Sequence, residues 1–175
     1  MRQQSVASVA PSTTMDTVAL LAEVWRGERV ESAHVGVAVV ADAQGNVIAS
    51  AGDPDHFAYY RSSAKPFQAV PLVESGAADA FGLTERELAL CCASHAGEPH
   101  HQAEVLGLLR KIGLDERALQ CGVSLPSDRS EAARVTLNPT ERSPLQCDCS
   151  GKHAGILATC QHLGEPIERY LEIEY

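Results

Sequence analysis

The sequence predicts an α+β fold, because segments typical of strands come first along the chain and segments typical of helices follow them. Short apolar runs rich in valine occupy residues 18–24 and 35–40, and "NVIASAG" comes after the turn Ala43-Gln44-Gly45. A glycine-containing turn between two such runs indicates a β-hairpin. The chain has 175 residues and an apolar content of 45%, which is ordinary for one globular domain.

Helical patterns dominate the rest of the chain. One helix is expected from about Ser62 to Glu74, with Pro66 in its first turn, where a missing N–H costs little. A second helix follows in "LTERELALCCASH", and its start carries a capping box formed by Thr84 and Glu87.

Four further segments complete the helical part. Apolar residues spaced i, i+3, i+4, i+7 predict a helix over 100–113 that packs on a core: Val105, Leu108, Leu109 and Ile112. Shorter helices are expected in "LDERALQCG" and "SDRSEAARV". The last helix is expected to have Ser150 as its capping residue and to end at Gly164.

Composition excludes several classes of partner. The net charge of −9 argues against nucleic acid, because phosphate binding needs a basic surface. No apolar run approaches the roughly 20 residues of a membrane helix, and the N-terminus lacks the apolar segment of a secretory signal. We therefore expect a cytoplasmic protein without a membrane partner, in which residues 1–16 form a disordered tail. The six cysteines are then expected as buried apolar residues or metal ligands rather than disulfides.

"RSSAKP" is the first stretch that could carry chemistry. Ser62 and Lys65 are spaced i, i+3, which places them on one face of a helix. A serine hydroxyl becomes a good nucleophile when a base takes its proton, and a buried lysine can be that base. The alternative is a capping serine beside a solvated lysine, which is the more common meaning of this short pattern. The neighbouring Arg61 could bind a substrate carboxylate, or it could be an ordinary surface charge.

Two further stretches contain polar residues at the ends of apolar helices. In "CCASHAGEPHH", Ser94 and His95 leave a helix just before a glycine, which is typical of residues that line a cleft. A loop serine and a surface histidine are the alternative. The His100–His101 pair that follows is expected on a solvated helix start.

"QCDCSGKHAG" places Cys149 immediately before a helix, where the helix dipole stabilises a thiolate. Lys152 or His153 lies one turn further on, so two of these residues could bind one metal ion. Lysine is a rare ligand, since it must first lose its proton. A buried cysteine without a special role explains the pattern equally well.

These stretches occur together and in order, and with them the sequence resembles the type III L-asparaginases, the rhizobial-type asparaginase II-like family. The matching segments are "ES-H" with "VGVAVV", "RSSAKP", "LALCCASHAGE", "LQCG" and "CSGKHAG", which cover the chain from about residue 18 onward. The resemblance implies a serine β-lactamase and penicillin-binding type of fold, in which helices pack on a sheet. It also implies hydrolysis of L-asparagine to L-aspartate and ammonia.

The resemblance further implies a role for each matching residue. Ser62 and Lys65 look like the catalytic Ser-Lys pair, and Ser94 looks like a second active-site serine. Cys149 and Lys152 look like two ligands of a zinc site. Residues similar to those of the substrate pocket are Arg61 and His153.

The sequence departs from the family in length. Members are substantially longer, and their second cysteine ligand and second catalytic lysine lie beyond the part that this sequence matches. We therefore expect residues 17–175 to be the N-terminal part of such a domain, with an incomplete zinc site that binds zinc weakly. Little activity alone is expected, and uncovered apolar faces predict a homo-oligomer.

Two other functions stay open. The chain could be an inactive or complementing fragment, which its length favours. It could also be a β-lactamase or DD-peptidase-like enzyme with a Ser-Lys pair, although "SDN" and "KTG" are absent from the sequence.

Overall fold

The structure, a computed structural model, describes residues 17–172 and divides into two units between Tyr59 and Tyr60. The tail expected at residues 1–16 lies outside the described residues. Strands occupy the first unit and helices the second, so the predicted α+β class is confirmed. None of the helices in the described part of the chain has the length and apolar character needed to cross a membrane.

Within residues 17–59, the first unit contains two antiparallel hairpins. Strand β1 (Ala19–Arg26) pairs with β2 (Arg29–Gly36), and β3 (Ala38–Ala41) pairs with β4 (Val47–Ala51). The turn of the first hairpin contains Gly27, whose positive φ of 63° suits glycine. Most of strand β2 was not predicted, because the alternation of polar and apolar residues in "RVESAHVG" is interrupted at Ser32.

The predicted hairpin between residues 40 and 46 is confirmed, and one side chain organises its turn. The Asp42 carboxylate accepts hydrogen bonds from the backbone N–H of Gln44 at 2.9 Å and of Asn46 at 2.8 Å. The Asn46 side-chain amide donates a third, also at 2.8 Å. Gly45 takes a φ of 85° within the turn. Local side-chain bonds of this kind compete well with other conformations in a short turn.

Seven α-helices lie in the described residues of the second unit, 60–172, with short 3₁₀ turns between several of them. They are α1 (Lys65–Gln68), α2 (Val70–Glu74), α3 (Ala77–Ala80), α4 (Glu85–Cys91), α5 (Pro99–Lys111), α6 (Arg129–Leu137) and α7 (Ser150–Leu163).

The single helix expected from Ser62 to Glu74 is broken into pieces. Residues Arg61–Ala64 form a 3₁₀ turn, and α1 and α2 are separated at Ala69. Pro71 has no N–H to donate to the carbonyl four residues earlier, so a continuous ladder cannot form there. Prediction of one uninterrupted helix was therefore wrong.

The capping box at the start of α4 is confirmed. The Thr84 hydroxyl accepts from the Glu87 N–H at 3.3 Å, and the Glu87 carboxylate accepts from the Thr84 N–H at 2.7 Å. Glu87 also accepts from Lys111 Nζ at 2.7 Å, which ties α4 to the end of α5. Burial opposes ionisation of Glu87, but the hydrogen bonds from Lys111 and Thr84 outweigh it and hold the pKa below its usual value.

Helix α7 lies at the centre of the core. The apolar residues predicted for α5 are all buried, and together with Leu72, Leu90 and Leu157 they belong to one cluster. Two glycines let α7 approach α4 closely. A Cβ on Gly151 would lie 2.5 Å from the Leu90 carbonyl oxygen, and one on Gly155 would lie 2.9 Å from the Cys91 sulfur. Gly151 and Gly155 of the "SGKHAG" segment are therefore required by packing.

We expect Gly151→Ala to destabilise the protein by about 1–3 kcal/mol, because the added methyl meets backbone rather than a movable side chain. Gly107→Ala is the matched control, since Gly107 lies inside α5 with nothing within 4 Å of its would-be Cβ. The control should be neutral or stabilise by up to about 1 kcal/mol. Urea unfolding of both variants measures the difference, and equal stability would contradict the packing argument.

Candidate active site

Two of the predicted site residues, Lys65 and Ser94, contact each other directly. Lys65 is only 4% exposed, and its Nζ donates a hydrogen bond of 2.6 Å to the Ser94 hydroxyl. Among the described residues, no carboxylate lies within 4.0 Å of this ammonium group. A buried ammonium without a counter-charge is costly, so this place favours an anionic ligand.

Ser62 lies on the surface. Its hydroxyl makes no hydrogen bond to Lys65 in the described part of the chain, although the two residues have the predicted spacing. The turn that contains Ser62 is a 3₁₀ turn, where residues three apart are placed differently from those of an α-helix. Lys65 instead contacts Ser94, which lies 29 positions further along the chain.

Arg61 has an unusual backbone conformation. It is the one residue other than glycine with a positive φ, 49°, within the described range 17–172. Such strain in a non-glycine residue costs energy and is found most often at functional sites. The guanidinium is exposed and lies at the start of the turn that carries Ser62.

His95 connects the segment after α4 to the start of α7. Its Nδ1 accepts from the Gly97 N–H at 3.1 Å, so in the neutral ring the proton is on Nε2. Nε2 lies 2.8 Å from the Ser150 hydroxyl, which in turn donates to the Leu145 carbonyl at 3.1 Å. Ser150 is therefore buried and engaged with His95, and its predicted role as the capping residue of α7 was wrong; Cys149 occupies the cap position.

His101 is not the solvated residue that the sequence suggested. Its ring stacks on that of His95 at a centroid distance of 5.1 Å, and its Nδ1 is buried without a hydrogen-bond partner among the described residues. Glu98, His100 and His101 could together hold a cation. However, they lie at the start of α5, where the helix dipole disfavours positive charge.

His153 is buried one turn into α7. Its Nδ1 lies 2.9 Å from the Tyr170 hydroxyl, which also accepts from the Gln120 N–H at 2.7 Å. Burial is the main cause that lowers the pKa of His153 to about 4, and the charges of Lys152 and Lys65 contribute in the same direction. Sequence reasoning missed Tyr170, because nothing near it in the sequence indicates a contact 17 positions away.

A cavity of about 430 Å³ opens beside Ser94. The lining residues are Arg86, Ala89, Leu90, Ala93, Ser94, His95, Ala96, His100, His101 and Glu104. A second, mostly apolar cavity of about 290 Å³ lies against α1 and α2. The first cavity combines an apolar wall with several polar groups, which is the usual make-up of a small-molecule site.

The cysteine segment before α7 brings two thiols together. The sulfur atoms of Cys147 and Cys149 are 3.4 Å apart, and the Asp148 carboxylate lies within the same group of possible ligands. Burial raises the pKa of Cys149 to about 11, helped by its hydrogen bond with Cys147 and opposed by the charge of Lys152. The pKa of Cys149 is thus raised, which is opposite to the lowering expected from the helix dipole.

We expect acid to destabilise the fold partly through His95 and His153. Burial is the largest cause that lowers the pKa of each imidazole from 6.5 to about 4. As the pH falls from 6.5 to 4, the unfolded chain therefore takes up protons that the folded chain does not. The free energy of unfolding should be fully retained above pH 6.5 and decrease down to about pH 4.

Urea unfolding at several pH values tests this expectation. In His153→Asn the decrease between pH 6.5 and 4 should be smaller, whereas His34→Asn, at an exposed position of β2, should behave like the wild type. An unchanged decrease in His153→Asn would refute the role given to burial.

Comparison with known proteins identifies a family. A family model described as L-asparaginase II matches residues 22–175, which include every residue of the site described above. A search of the curated proteins found no match.

Proposed function

Because this chain belongs to the L-asparaginase II family, we propose that it is an amide hydrolase that converts L-asparagine and water to L-aspartate and ammonia. The observation that carries this proposal is the buried Lys65, whose Nζ lies 2.6 Å from the Ser94 hydroxyl at the edge of a cavity. A lysine held against a serine supplies the base that a serine nucleophile needs.

In the proposed reaction Ser62 is the nucleophile and Lys65 the base. Ser62 attacks the side-chain amide carbon, ammonia leaves with the proton that Lys65 has taken, and water then hydrolyses the acyl group from Ser62. Ser94, which lies against Lys65, passes the proton between the two groups or donates a hydrogen bond to the oxyanion. The contact between Lys65 and Ser94 also supports a second assignment, in which Ser94 is the nucleophile.

Substrate binding is assigned to Arg61 and His153. The exposed Arg61 guanidinium suits the α-carboxylate of an amino acid, which it can bind with two parallel hydrogen bonds. The neutral His153 offers a ring nitrogen for the amide group.

A zinc ion at Cys149 and Lys152 is part of the proposal. The donor set fits, because the Cys149 thiol and the Lys152 amine offer a sulfur and a nitrogen ligand, and zinc takes both kinds. The charge of Lys152 also acts on Cys149. When bound, zinc would act as a Lewis acid that orients the substrate.

We further propose that residues 17–175 are the N-terminal part of a domain with a serine β-lactamase-like sheet.

Self-association is proposed from the surface of the first unit. Large apolar side chains of its strands are exposed, among them Trp25, Val40 and Ile48. Exposed apolar side chains of this kind favour contact between copies of a chain.

Ammonia release from L-asparagine tests the proposed activity. We expect slow but measurable release by the purified chain, and no turnover of the β-lactam nitrocefin. If Ser62→Ala releases ammonia as fast as the wild type, Ser62 is not the nucleophile. If no ammonia is released, the alternative of an inactive or complementing fragment is favoured. Turnover of nitrocefin would favour the β-lactamase-like alternative.

Ser62→Ala and Ser63→Ala form a matched pair, since both serines are exposed in the same turn. Ser62→Ala should lower the rate by at least about a thousandfold, as expected when a nucleophile is removed. Ser63→Ala should have a mild effect. If Ser94→Ala abolishes the rate while Ser62→Ala leaves it intact, Ser94 is the nucleophile instead.

A further inference from the structure

Three side chains at the start of α5 bring metal-ligating atoms together. One imidazole nitrogen each from His100 and His101 and a carboxylate oxygen of Glu98 lie within 4.8 Å of one another. His100 Nδ1 is 3.2 Å from the Glu98 carboxylate, and the centroids of the two imidazole rings are 3.8 Å apart. Consecutive residues of a helix normally point in different directions, so the convergence of two adjacent histidines is unusual.

His101 is held in place but lacks a partner for one nitrogen. Its ring stacks on that of His95 at a centroid distance of 5.1 Å and an interplanar angle of 22°. Its Nδ1 is buried and has no hydrogen-bond partner within residues 17–172. A buried nitrogen without a partner costs free energy and is uncommon in folded proteins. Coordination of a cation through Nδ1 would supply the missing partner.

The two histidines also form part of the wall of the cavity of about 430 Å³ beside Ser94. An ion bound to them can therefore be reached by solvent and by a small molecule in this cavity. Three protein ligands leave at least one position of a tetrahedral ion open, which water or such a molecule can occupy.

The ligand atoms select the class of ion. Two imidazoles and one carboxylate are a ligand set of zinc and of other divalent transition metals. Mg²⁺ and Ca²⁺ prefer sites in which all ligands are oxygen atoms. We therefore expect this cluster to distinguish Zn²⁺ from Mg²⁺.

The carboxylate ligand answers the electrostatic objection to a cation at a helix start. Glu98 is the N-cap residue of α5, yet its side chain caps no backbone N–H in the described part of the chain. Its negative charge is favoured at this end of the helix dipole and offsets the positive charge of an ion bound beside it. A second carboxylate, that of Glu104, lines the same cavity, where it pairs with Arg86 at 3.3 Å.

We propose that Glu98, His100 and His101 bind one divalent transition-metal ion such as Zn²⁺ in the wall of the cavity beside Ser94. This site uses neither Cys149 nor Lys152, so the inference does not rest on the proposed function.

Zinc titration of the wild-type chain, followed by NMR of the histidine side-chain nitrogens, gives a test that needs no variant. The resonances of His100 and His101 should shift together as zinc is added, whereas those of the exposed His34 and His162 should not. The same concentration of Mg²⁺ should shift none of them. A shift confined to His153 would report zinc at the start of α7 instead, and with unchanged His100 and His101 it would refute the inference.

Affinity measurements on variants test the individual ligands. Every chain compared carries Cys149→Ser, so that zinc held by this thiol does not contribute to the calorimetric signal. Glu98→Gln, His100→Asn and His101→Asn should each weaken zinc binding at least about tenfold, since even the loss of an outer-shell partner costs that much.

Glu104→Gln is the matched control, because Glu104 belongs to α5 and lines the same cavity but lies outside the cluster. It should bind zinc as tightly as its parent chain. If the three ligand variants also bind as tightly as the parent, or if Glu104→Gln weakens binding as much as they do, the ion is not held by the proposed ligands and the inference is wrong.

Discussion

The close approach of α4 and α7 is the constraint on which the second unit depends. Gly151 and Gly155 have no side chains, so α7 avoids the steric clash with Leu90 and Cys91 that a Cβ would cause. Because α4 ends at Cys91 and α7 begins at Ser150, this contact brings the end of one helix to the start of the other. The polar residues just outside each helix are then neighbours in space, which is why a site can form there.

Hydrogen bonds hold the segment after α4 and the start of α7 in the positions to which packing brings them. His95 donates to Ser150, and its backbone N–H donates to the Asp148 carbonyl at 3.0 Å. Buried polar groups of this kind are costly to leave unpaired, so the two segments have one favourable arrangement. Ser94, next to His95, is thereby held where Lys65 can reach it. A neutral imidazole serves this purpose better than a charged one, since burial penalises the charge.

Sequence reasoning succeeded where the signal was local. The capping box of Thr84 and Glu87 and the buried face of α5 follow from spacing within one helix, and the structure has both. The spacing of Ser62 and Lys65 was also local, but a 3₁₀ turn replaced the expected helix and Lys65 took a partner from another element. Contacts such as His95 with Ser150, 55 positions apart, depend on how the helices pack, and no short motif encodes that.

Charge connects the proposed catalytic groups with the proposed metal site. Lys65 and Lys152 both act on the buried His153, so positive charge accumulates around the first turn of α7. The helix dipole adds to it. A substrate carboxylate bound at the start of α7 would offset this positive charge.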